Sequence, residues 1–386
     1  MFLYVLLWAI FGFFSFGVVA LRLLFLKWFA SNRPRSKSDE AYQPKVSLIV
    51  PTYNESKIIR FKLRNISMID YPPNLMQIIF VDGNSQDGTA KIIGDYNKQH
   101  PEINVQLLVE NERRGKSSAL NYALKHCDGE IVVISDADCL WKPSILREAI
   151  PYLSDPEVGA GSGPKVLLNP AQSWVTETEE LYLKTLNTAR LGESKIGSTL
   201  FFEGGFSAYK RKALSSFDPY NTGSDDNGTV IQVLENDKRT LFIPEAEFYT
   251  IFPIGWKEKV SLKIRRASQL LRVLTKYVTL LSDGKLKGAR KVVILNLFIH
   301  FFAPIFFVLF CVLSFVILLH FPLLSLTFLT LAIPKVRIRF FDAVVGFSIL
   351  VLAMILNASN RRFTLWSQPE SRALVNEELL AKHGLV

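Results

Sequence analysis

The sequence predicts an α/β domain, built on a mostly parallel sheet, that lies between apolar membrane-spanning helices. Short apolar runs alternate with turn residues and with helical periodicity between residues 44 and 254, which is the pattern of a parallel sheet covered by helices. Long apolar segments stand on either side of this region. With 49% hydrophobic residues in 386, the chain is longer and more apolar than an ordinary soluble domain.

The first apolar segment runs from Phe2 to Phe29, and its charged residues are Arg22 and Lys27. A helix of this length can cross roughly 30 Å of hydrocarbon. A cleaved signal peptide is the alternative, but no basic segment precedes the apolar run, and the run is longer than the core of such a peptide. We therefore interpret residues 1–30 as an uncleaved transmembrane helix, followed by a linker at residues 31–43.

Two further apolar regions follow the central domain. Residues 292–334 are too long for one span and suit two spans that turn near His320, and residues 340–357 form another. We therefore expect about three transmembrane helices within residues 285–358, and a polar tail at residues 359–386. With the first helix, this gives four spans.

Basic residues mark the ends of the apolar segments. Clusters flank the central domain on both sides, with Arg33, Arg35 and Lys37 before it and Lys285, Lys287, Arg290 and Lys291 after it. The positive-inside rule therefore predicts a multi-pass integral membrane protein, expected in the plasma membrane, with its domain in the cytoplasm. Arg361 and Arg362 would lie outside in a four-span chain, but inside if residues 292–334 hold one span and a re-entrant piece. The sequence leaves three or four spans open.

The formal net charge of +10 indicates membrane lipids as partners and argues against nucleic acid. The basic residues adjoin apolar segments, where they meet anionic headgroups. The cysteines Cys127, Cys139 and Cys311 have no metal-binding spacing. They indicate a reducing compartment without a disulfide framework.

The elements of the central domain follow one another as strand, turn and helix. Strands are predicted at residues 46–50, 78–81, 105–109 and 131–135, and helices after the first strand, from the turn at residues 87–89, and at residues 116–125. The first of these helices carries Ile58, Ile59, Leu63 and Ile66 at helical spacing. In such a sheet, ligands lie beyond the carboxyl ends of the strands.

Acidic side chains stand at the carboxyl ends of three predicted strands, namely Glu55, Asp82 and Asp136. Clustered carboxylates repel one another unless a cation or a donor-rich ligand joins them. We therefore interpret them as a ligand site. A nucleotide fits this arrangement, with one carboxylate for ribose hydroxyls or a base N–H and another for a metal ion.

Asp136 and Asp138, one residue apart at the end of the fourth strand, offer hard oxygen ligands. Mg²⁺ and Mn²⁺ prefer such ligands, and these ions neutralise a departing diphosphate. The basic segment at residues 113–116 follows the third strand and can supply positive charge to the same diphosphate at a helix start. A solvated basic turn is the alternative interpretation. The sequence contains no Walker-type glycine-rich loop.

Four segments of the domain resemble, in their order, the family 2 inverting glycosyltransferases, which have the GT-A fold. They are residues 50–55, 81–89, 114–121 and 136–138. The resemblance implies a nucleotide-sugar donor whose nucleoside or sugar contacts Pro51, Tyr53, Glu55, Asp82, Lys116 and Asp136. It also implies that Asp138 is the protein ligand of a Mg²⁺ or Mn²⁺ cofactor.

The second half of the domain resembles the acceptor side of the same family. Glu203, Gly204 and Gly205 are similar to its glycine-containing acceptor loop, although a plain β-turn accounts for them equally well. Asp226 aligns with the catalytic Asp, the base that takes the proton of the acceptor hydroxyl. Asp225 stands where the family usually has Glu. The alternative is that Ser224 or Asp225 only caps the following helix.

Residues 255–284 form a basic amphipathic segment that is predicted to be a helix at the membrane interface. Its cations Lys257, Lys259, Lys263, Arg265 and Arg266 are expected to meet lipid or substrate phosphates. Polymerising members of the family carry Gln-x-x-Arg-Trp in this segment. Here Gln269 and Arg272 match, but Val273 replaces the Trp, which argues against processive synthesis. Arg265 and Arg266 compete with Arg272 for contact with the diphosphate.

The sequence thus predicts a membrane-anchored inverting glycosyltransferase that uses a metal ion and a nucleotide-diphosphate sugar. A UDP-sugar is preferred from the habit of the family, with a lipid-linked or glycan acceptor. A processive polysaccharide synthase coupled to secretion is the alternative within this class. A membrane-bound sugar nucleotidyltransferase is the alternative from another class, and a channel or scaffold leaves the carboxylates unexplained.

Overall fold

The structure is a computed structural model that describes residues 2–32, 38–322, 329–330, 332–359 and 374–385. The strands of these residues are β1 (Val46–Thr52), β2 (Met76–Asp82), β3 (Val105–Val109), β4 (Ile131–Ile134), β5 (Leu140–Trp141), β6 (Val158–Ser162), β7 (Lys165–Leu167), β8 (Ser207–Lys210), β9 (Arg239–Phe242) and β10 (Phe248–Thr250). The helices are α1 (Phe2–Gly12), α2 (Val18–Asn32), α3 (Ile59–Ser67), α4 (Thr89–Gln99), α5 (Lys116–Leu124), α6 (Ile145–Ala149), α7 (Trp174–Ile196), α8 (Asp225–Glu235), α9 (Trp256–Ser282), α10 (Arg290–Leu297), α11 (Ala303–His320), α12 (Pro334–Ala358) and α13 (Glu377–Ala381).

Seven of the described strands form one sheet in the order β3-β2-β1-β4-β8-β6-β9. β1 pairs in parallel with β2 and β4, and β2 in parallel with β3. β8 is antiparallel to both β4 and β6. The mostly parallel sheet is therefore confirmed. It brings the carboxyl ends of β1, β2 and β4 to one edge.

The central strands are apolar on both faces, as a covered parallel sheet requires. Alternate side chains enter two different cores. Val50 and Phe80 belong to the core on one face. Ile49 and Val81 belong to the core on the other face, which includes side chains of α5, α8 and α9. Helices thus hold the sheet from both sides and fix its carboxyl edge.

Three described strands form a second sheet in the order β5-β10-β7. β5 begins two residues after Asp138 and pairs with β10. Side chains from residues 374–385 pack against this sheet, and Leu380 and Leu385 are fully buried. Within the segment expected to be a polar tail, residues 374–385 thus contribute two leucines to an apolar contact with the small sheet.

The described residues contain three helices that are long and apolar enough to cross a membrane, namely Phe2–Asn32, Arg290–His320 and Val336–Ala358. The first two include π-helical turns at Phe13–Gly17 and Phe298–Phe302. The sequence predicted two spans within residues 292–334, but one long helix ends at His320. Residues 321–333 are fewer than the roughly 20 that a spanning helix needs. Arg361 and Arg362 lie outside the described residues.

The N-terminal helix joins the domain to the second spanning helix through a buried polar group. Arg22 Nη2 lies 2.5 Å from Glu193 Oε1 on α7. Asn296 of α10 donates from Nδ2 to the same oxygen at 2.9 Å and accepts from Arg22 at 3.1 Å. At the same crossing, a Cβ on Gly192 would lie 2.3 Å from the backbone oxygen of Leu26. The close approach of α2 and α7 therefore requires glycine there.

α9 confirms the helix predicted at residues 255–284, but its surroundings differ from the prediction. It packs against α8 and α10 and also against α12. The ammonium groups of Lys259 and Lys263 lie 3.5 Å and 2.8 Å from the carboxylate of the buried Glu179. The expectation that these two lysines meet lipid or substrate phosphates is wrong, because they neutralise a carboxylate of α7.

Candidate active site

The carboxylate of Asp82 ends β2 and is fully buried. Its oxygens accept hydrogen bonds from Thr52 Oγ1 at 3.0 Å, from Ser85 Oγ at 2.6 Å and from the Ser85 backbone N–H at 2.8 Å. Ser85 Oγ in turn accepts from the backbone N–H of Asn54 at 2.8 Å. Asp82 therefore holds together the loops that follow β1 and β2, which form the wall of the predicted nucleoside site.

Other predicted nucleoside residues lie at the end of β1 and on the loop that follows it. Pro51 is half-buried in β1, and Glu55 is buried. The Glu55 backbone N–H donates to Thr89 Oγ1 at 2.8 Å, at the start of α4. The Tyr53 ring lies 3.8 Å from the guanidinium carbon of Arg113. The planar guanidinium of Arg113 thus stacks on the ring of Tyr53, next to the predicted nucleoside site.

The turn after β4 carries the predicted metal ligand. Ligand atoms of Asp136, Asp138 and Cys139 lie within 4.8 Å of one another, and both carboxylates are partly exposed. Burial and the two carboxylates raise the pKa of the Cys139 thiol well above its usual value, so this group stays a neutral thiol. The two aspartates supply hard oxygen ligands, which fit Mg²⁺ or Mn²⁺.

Lys116 joins this turn to the second half of the domain. Its ammonium nitrogen lies 2.6 Å from Asp136 Oδ1 and 2.7 Å from Asp225 Oδ2. Burial lowers the pKa of Lys116, but Asp136 and Asp225 more than offset this, so its pKa is well above the usual value. Lys116 is therefore a permanent cation between the strand edge and the start of α8.

Asp226 lies beside this cation on the first turn of α8. Its Oδ1 accepts hydrogen bonds from Ser224 Oγ at 2.5 Å and from the Asn227 backbone N–H at 2.7 Å. Burial and the neighbouring Asp225 carboxylate raise its pKa, against the opposing charge of Lys116. A carboxylate with a raised pKa accepts a proton more readily than an ordinary Asp, which suits a general base.

The loop before β8 contains Glu203, Gly204 and Gly205, the predicted acceptor residues. Glu203 is held by Lys165 at 2.6 Å and by Arg190 at 3.1 Å. A Cβ on Gly205 would lie 2.1 Å from the Phe248 ring, and one on Gly204 would lie 2.7 Å from Asp136 Oδ2. Gly204 therefore allows the chain to pass close to Asp136, and Gly205 allows it to pack against the Phe248 ring.

The predicted site residues of α9 fall into two groups by their contacts. Arg272 donates from Nε to the Thr222 carbonyl at 2.7 Å, and Gln269 donates to the Gly223 carbonyl. These two side chains hold the loop that precedes Asp226. Arg265 and Arg266 have Asp226 among their charged neighbours instead.

The charge around Arg265 differs from that around Arg266. Burial lowers the pKa of Arg265 to about 10, with Asp136, Asp225 and Asp226 acting in the opposite direction. Arg266 lies near the carboxylates of Glu203 and Glu179. Asp136 of the predicted donor side is thus among the charged neighbours of Arg265.

Sequence reasoning missed Lys62, a fully buried lysine on α3. Its ammonium group donates to Ser135 Oγ and to the Cys139 carbonyl, next to the predicted metal-binding turn at residues 136–139. Burial lowers its pKa to about 8. Lys62 follows Ile58 by four residues and Ile59 by three, so its position in the apolar stripe was the signal for burial.

Comparisons with known proteins point to one family. The family model described as "Glycosyltransferase like family 2" matches residues 44–268. An N-acetylglucosaminyltransferase of Rhizobium meliloti is 27% identical over 241 residues, which are 59% of this chain and 56% of that enzyme. A β-monoglucosyldiacylglycerol synthase of Synechocystis is 32% identical over 174 residues, which are 44% of this chain and 36% of that enzyme. The chain thus spans about half the length, or less, of these relatives.

One solved structure is similar over nearly the whole chain. It is a mannosyltransferase from Pyrobaculum calidifontis, in complex with GDP-Man and Mn²⁺. The similarity covers 92% of this chain and 99% of that chain, with a TM-score of 0.79 and 28% identity. The common fold therefore includes the apolar helices as well as the sheet.

Proposed function

Because this chain belongs to glycosyltransferase family 2, whose members transfer sugars from nucleotide donors, we propose that it acts on a nucleotide-diphosphate sugar with inversion. The acceptor is a lipid-linked or saccharide hydroxyl. One observation carries the proposal: Lys116 binds both Asp136 of the metal-binding turn and Asp225, the neighbour of Asp226. These contacts support a single site that contains the donor-side carboxylates and the proposed base.

In this mechanism Asp226 takes the proton of the acceptor hydroxyl. The acceptor oxygen forms its bond to the anomeric carbon while the bond from that carbon to the diphosphate oxygen breaks. The nucleoside diphosphate leaves with the bonding electron pair. The raised pKa of Asp226 makes its carboxylate a stronger proton acceptor at the moment of attack.

The donor lies along the carboxyl edge of the sheet in this proposal. Tyr53 and Glu55 hold the nucleoside, the buried Asp82 holds the loops that form its wall, and Asp138 with Asp136 would hold the cofactor. A divalent ion held by these residues would neutralise charge that develops on the leaving diphosphate. Among the arginines of α9, we assign Arg265 to the same diphosphate, because Asp136 of the donor side is among its charged neighbours.

The burial of Val273 on α9 favours a single transfer over processive synthesis. Val273 stands at the position of the Trp that polymerising members carry, and it is fully buried in the core with Leu274 and Tyr277. A side chain at position 273 therefore packs inside the protein and is not offered to a growing glycan. This supports an acceptor that receives one sugar.

We further propose three membrane crossings with the domain in the cytoplasm. Residues 374–385 contact the domain, so both lie on the same side of the membrane. The chain must then cross an even number of times between α9 and residue 374. The two apolar helices Arg290–His320 and Val336–Ala358 supply these crossings, and the flanking cations favour the cytoplasmic side.

A donor screen with the purified full chain in detergent tests the proposed function. UDP- and GDP-sugars are each supplied with Mn²⁺ or Mg²⁺, and the released nucleotide is identified. We expect release of nucleoside diphosphate that requires the metal ion. Release of pyrophosphate would indicate the nucleotidyltransferase instead, and a ladder of products would indicate the processive synthase.

A further inference from the structure

Residues 374–385 fold onto the face of the domain that lies behind the metal-binding turn. Leu380 and Leu385 are fully buried against Leu140 and Tyr249 of the small sheet. Leu140 follows Asp138 by two residues in the chain. The apolar contact of this segment is therefore made with the strand that continues directly from the metal-binding turn.

A single side chain of α3 ties this segment to the same strand. Asn65, which is 1% exposed, donates from Nδ2 to the Trp141 carbonyl at 2.7 Å and to the Leu385 carbonyl at 2.8 Å. Its Oδ1 accepts from the Trp141 backbone N–H at 2.8 Å. When residues 374–385 detach, one donor of this buried amide loses its partner, and an unsatisfied buried donor is costly.

Side chains of α3 thus bind the residues on both sides of the turn. Lys62 binds Ser135 and Cys139, which flank the two aspartates. Asn65 holds Trp141, and Leu380 and Leu385 cover the side chain of Leu140. Supports of this kind fix the orientation of metal ligands and commonly change metal affinity when they are removed.

We propose that residues 374–385 are a clasp that positions the metal-binding turn, so that release of the clasp weakens metal-supported binding of the donor nucleotide. The identity of the ligand, a donor nucleotide with a metal ion, rests on the proposed function. The clasp can open alone, because its leucines belong to neither of the two large cores that cover the main sheet. Small peripheral units of this kind open without global unfolding.

Leu380→Asp in the full chain releases the clasp by placing a carboxylate in its apolar contact. Ala381→Asp is the matched control. Ala381 is exposed, so this variant adds the same negative charge one residue away without placing it in the apolar contact. Hydrogen exchange measures the exchange rate of the Trp141 backbone amide. Calorimetry measures the affinity for GDP or UDP in the presence of Mn²⁺. Unchanged protection of β1 and β2 shows that the domain stays folded.

We expect faster exchange at residues 136–141 in Leu380→Asp only, together with about tenfold weaker Mn²⁺-supported nucleotide binding. Faster exchange at residues 374–385 with unchanged exchange at residues 136–141 would overturn the proposal that the clasp positions the turn. A loosened turn with unchanged nucleotide binding would overturn its link to the donor. If the unaltered chain binds neither nucleotide with Mn²⁺, the proposed function fails, while the exchange result still decides the clasp.

Discussion

Lys116 and Asp225 form an ion pair of 2.7 Å between two halves of the domain that are far apart in the sequence. The same ammonium group binds Asp136 at 2.6 Å. One lysine therefore lies between the donor-side turn and the residue next to the proposed base. Because the pKa of Lys116 is well above its usual value, its positive charge offsets the repulsion between the neighbouring carboxylates.

The acid limb of the pH–rate profile should reflect Asp226. Its pKa is raised by burial and by Asp225, and the protonated acid cannot accept the acceptor proton. Activity should therefore fall, as the pH is lowered, at a pH above the ordinary Asp pKa of about 3.9. Asp225→Asn removes one of the raising charges, so it should move this limb to lower pH. A limb that stays in place or moves to higher pH in Asp225→Asn would contradict the assignment.

Removal of the Asp138 carboxylate should abolish metal-supported nucleotide binding. Asp138→Ala deletes a hard oxygen ligand of the proposed ion, whereas Cys139→Ser, one residue away, deletes a thiol that stays neutral because its pKa is raised. Titration of Mn²⁺ by electron paramagnetic resonance, with GDP or UDP present, measures the difference. We expect loss in Asp138→Ala and retention in Cys139→Ser. Equal loss in both variants would show that the turn tolerates no change, and would remove the special role of Asp138.

The junction of Arg22 with Glu193 should contribute strongly to stability. Glu193→Gln removes the carboxylate that pairs with Arg22, and this carboxylate is buried, since Glu193 is 2% exposed. Breaking a buried pair in this way costs about 3 kcal/mol in the free energy of unfolding. Glu180→Gln on the same helix removes an exposed pair with Lys184 and should cost less than about 0.5 kcal/mol. Thermal unfolding in detergent compares the variants, and similar melting temperatures would contradict the assignment.

Local patterns in the sequence were sufficient to predict the parallel part of the sheet. The runs at β1, β2, β3 and β4 are apolar because helices cover both faces of the sheet, and the turns between them carry the residues that turns need. β8 could not be placed by such patterns. Its antiparallel position between β4 and β6 depends on contacts between distant segments.

Parts of the site were not predicted, for two different reasons. Lys62 was passed over because a lysine is ordinarily exposed, although its position in an apolar stripe predicted burial. The contact of Asn65 with Leu385 joins residues from opposite ends of the chain, and periodicity carries no information about such a pair. The grouping of Lys116 with Asp225 likewise arises only when α5 and α8 are packed together.

The most direct test of the central claim is a comparison of the unaltered chain with Asp226→Asn, using a donor that the screen identifies. Sugar transfer to acceptor and Mn²⁺-supported binding of the nucleotide are measured on the same samples. The amide cannot accept the proton but keeps the shape of the side chain, and it removes a carboxylate whose raised pKa costs stability at neutral pH. We predict that transfer is abolished, with nucleotide binding nearly unchanged and a melting temperature that is equal or higher. Transfer that persists in Asp226→Asn at a comparable rate would contradict the account.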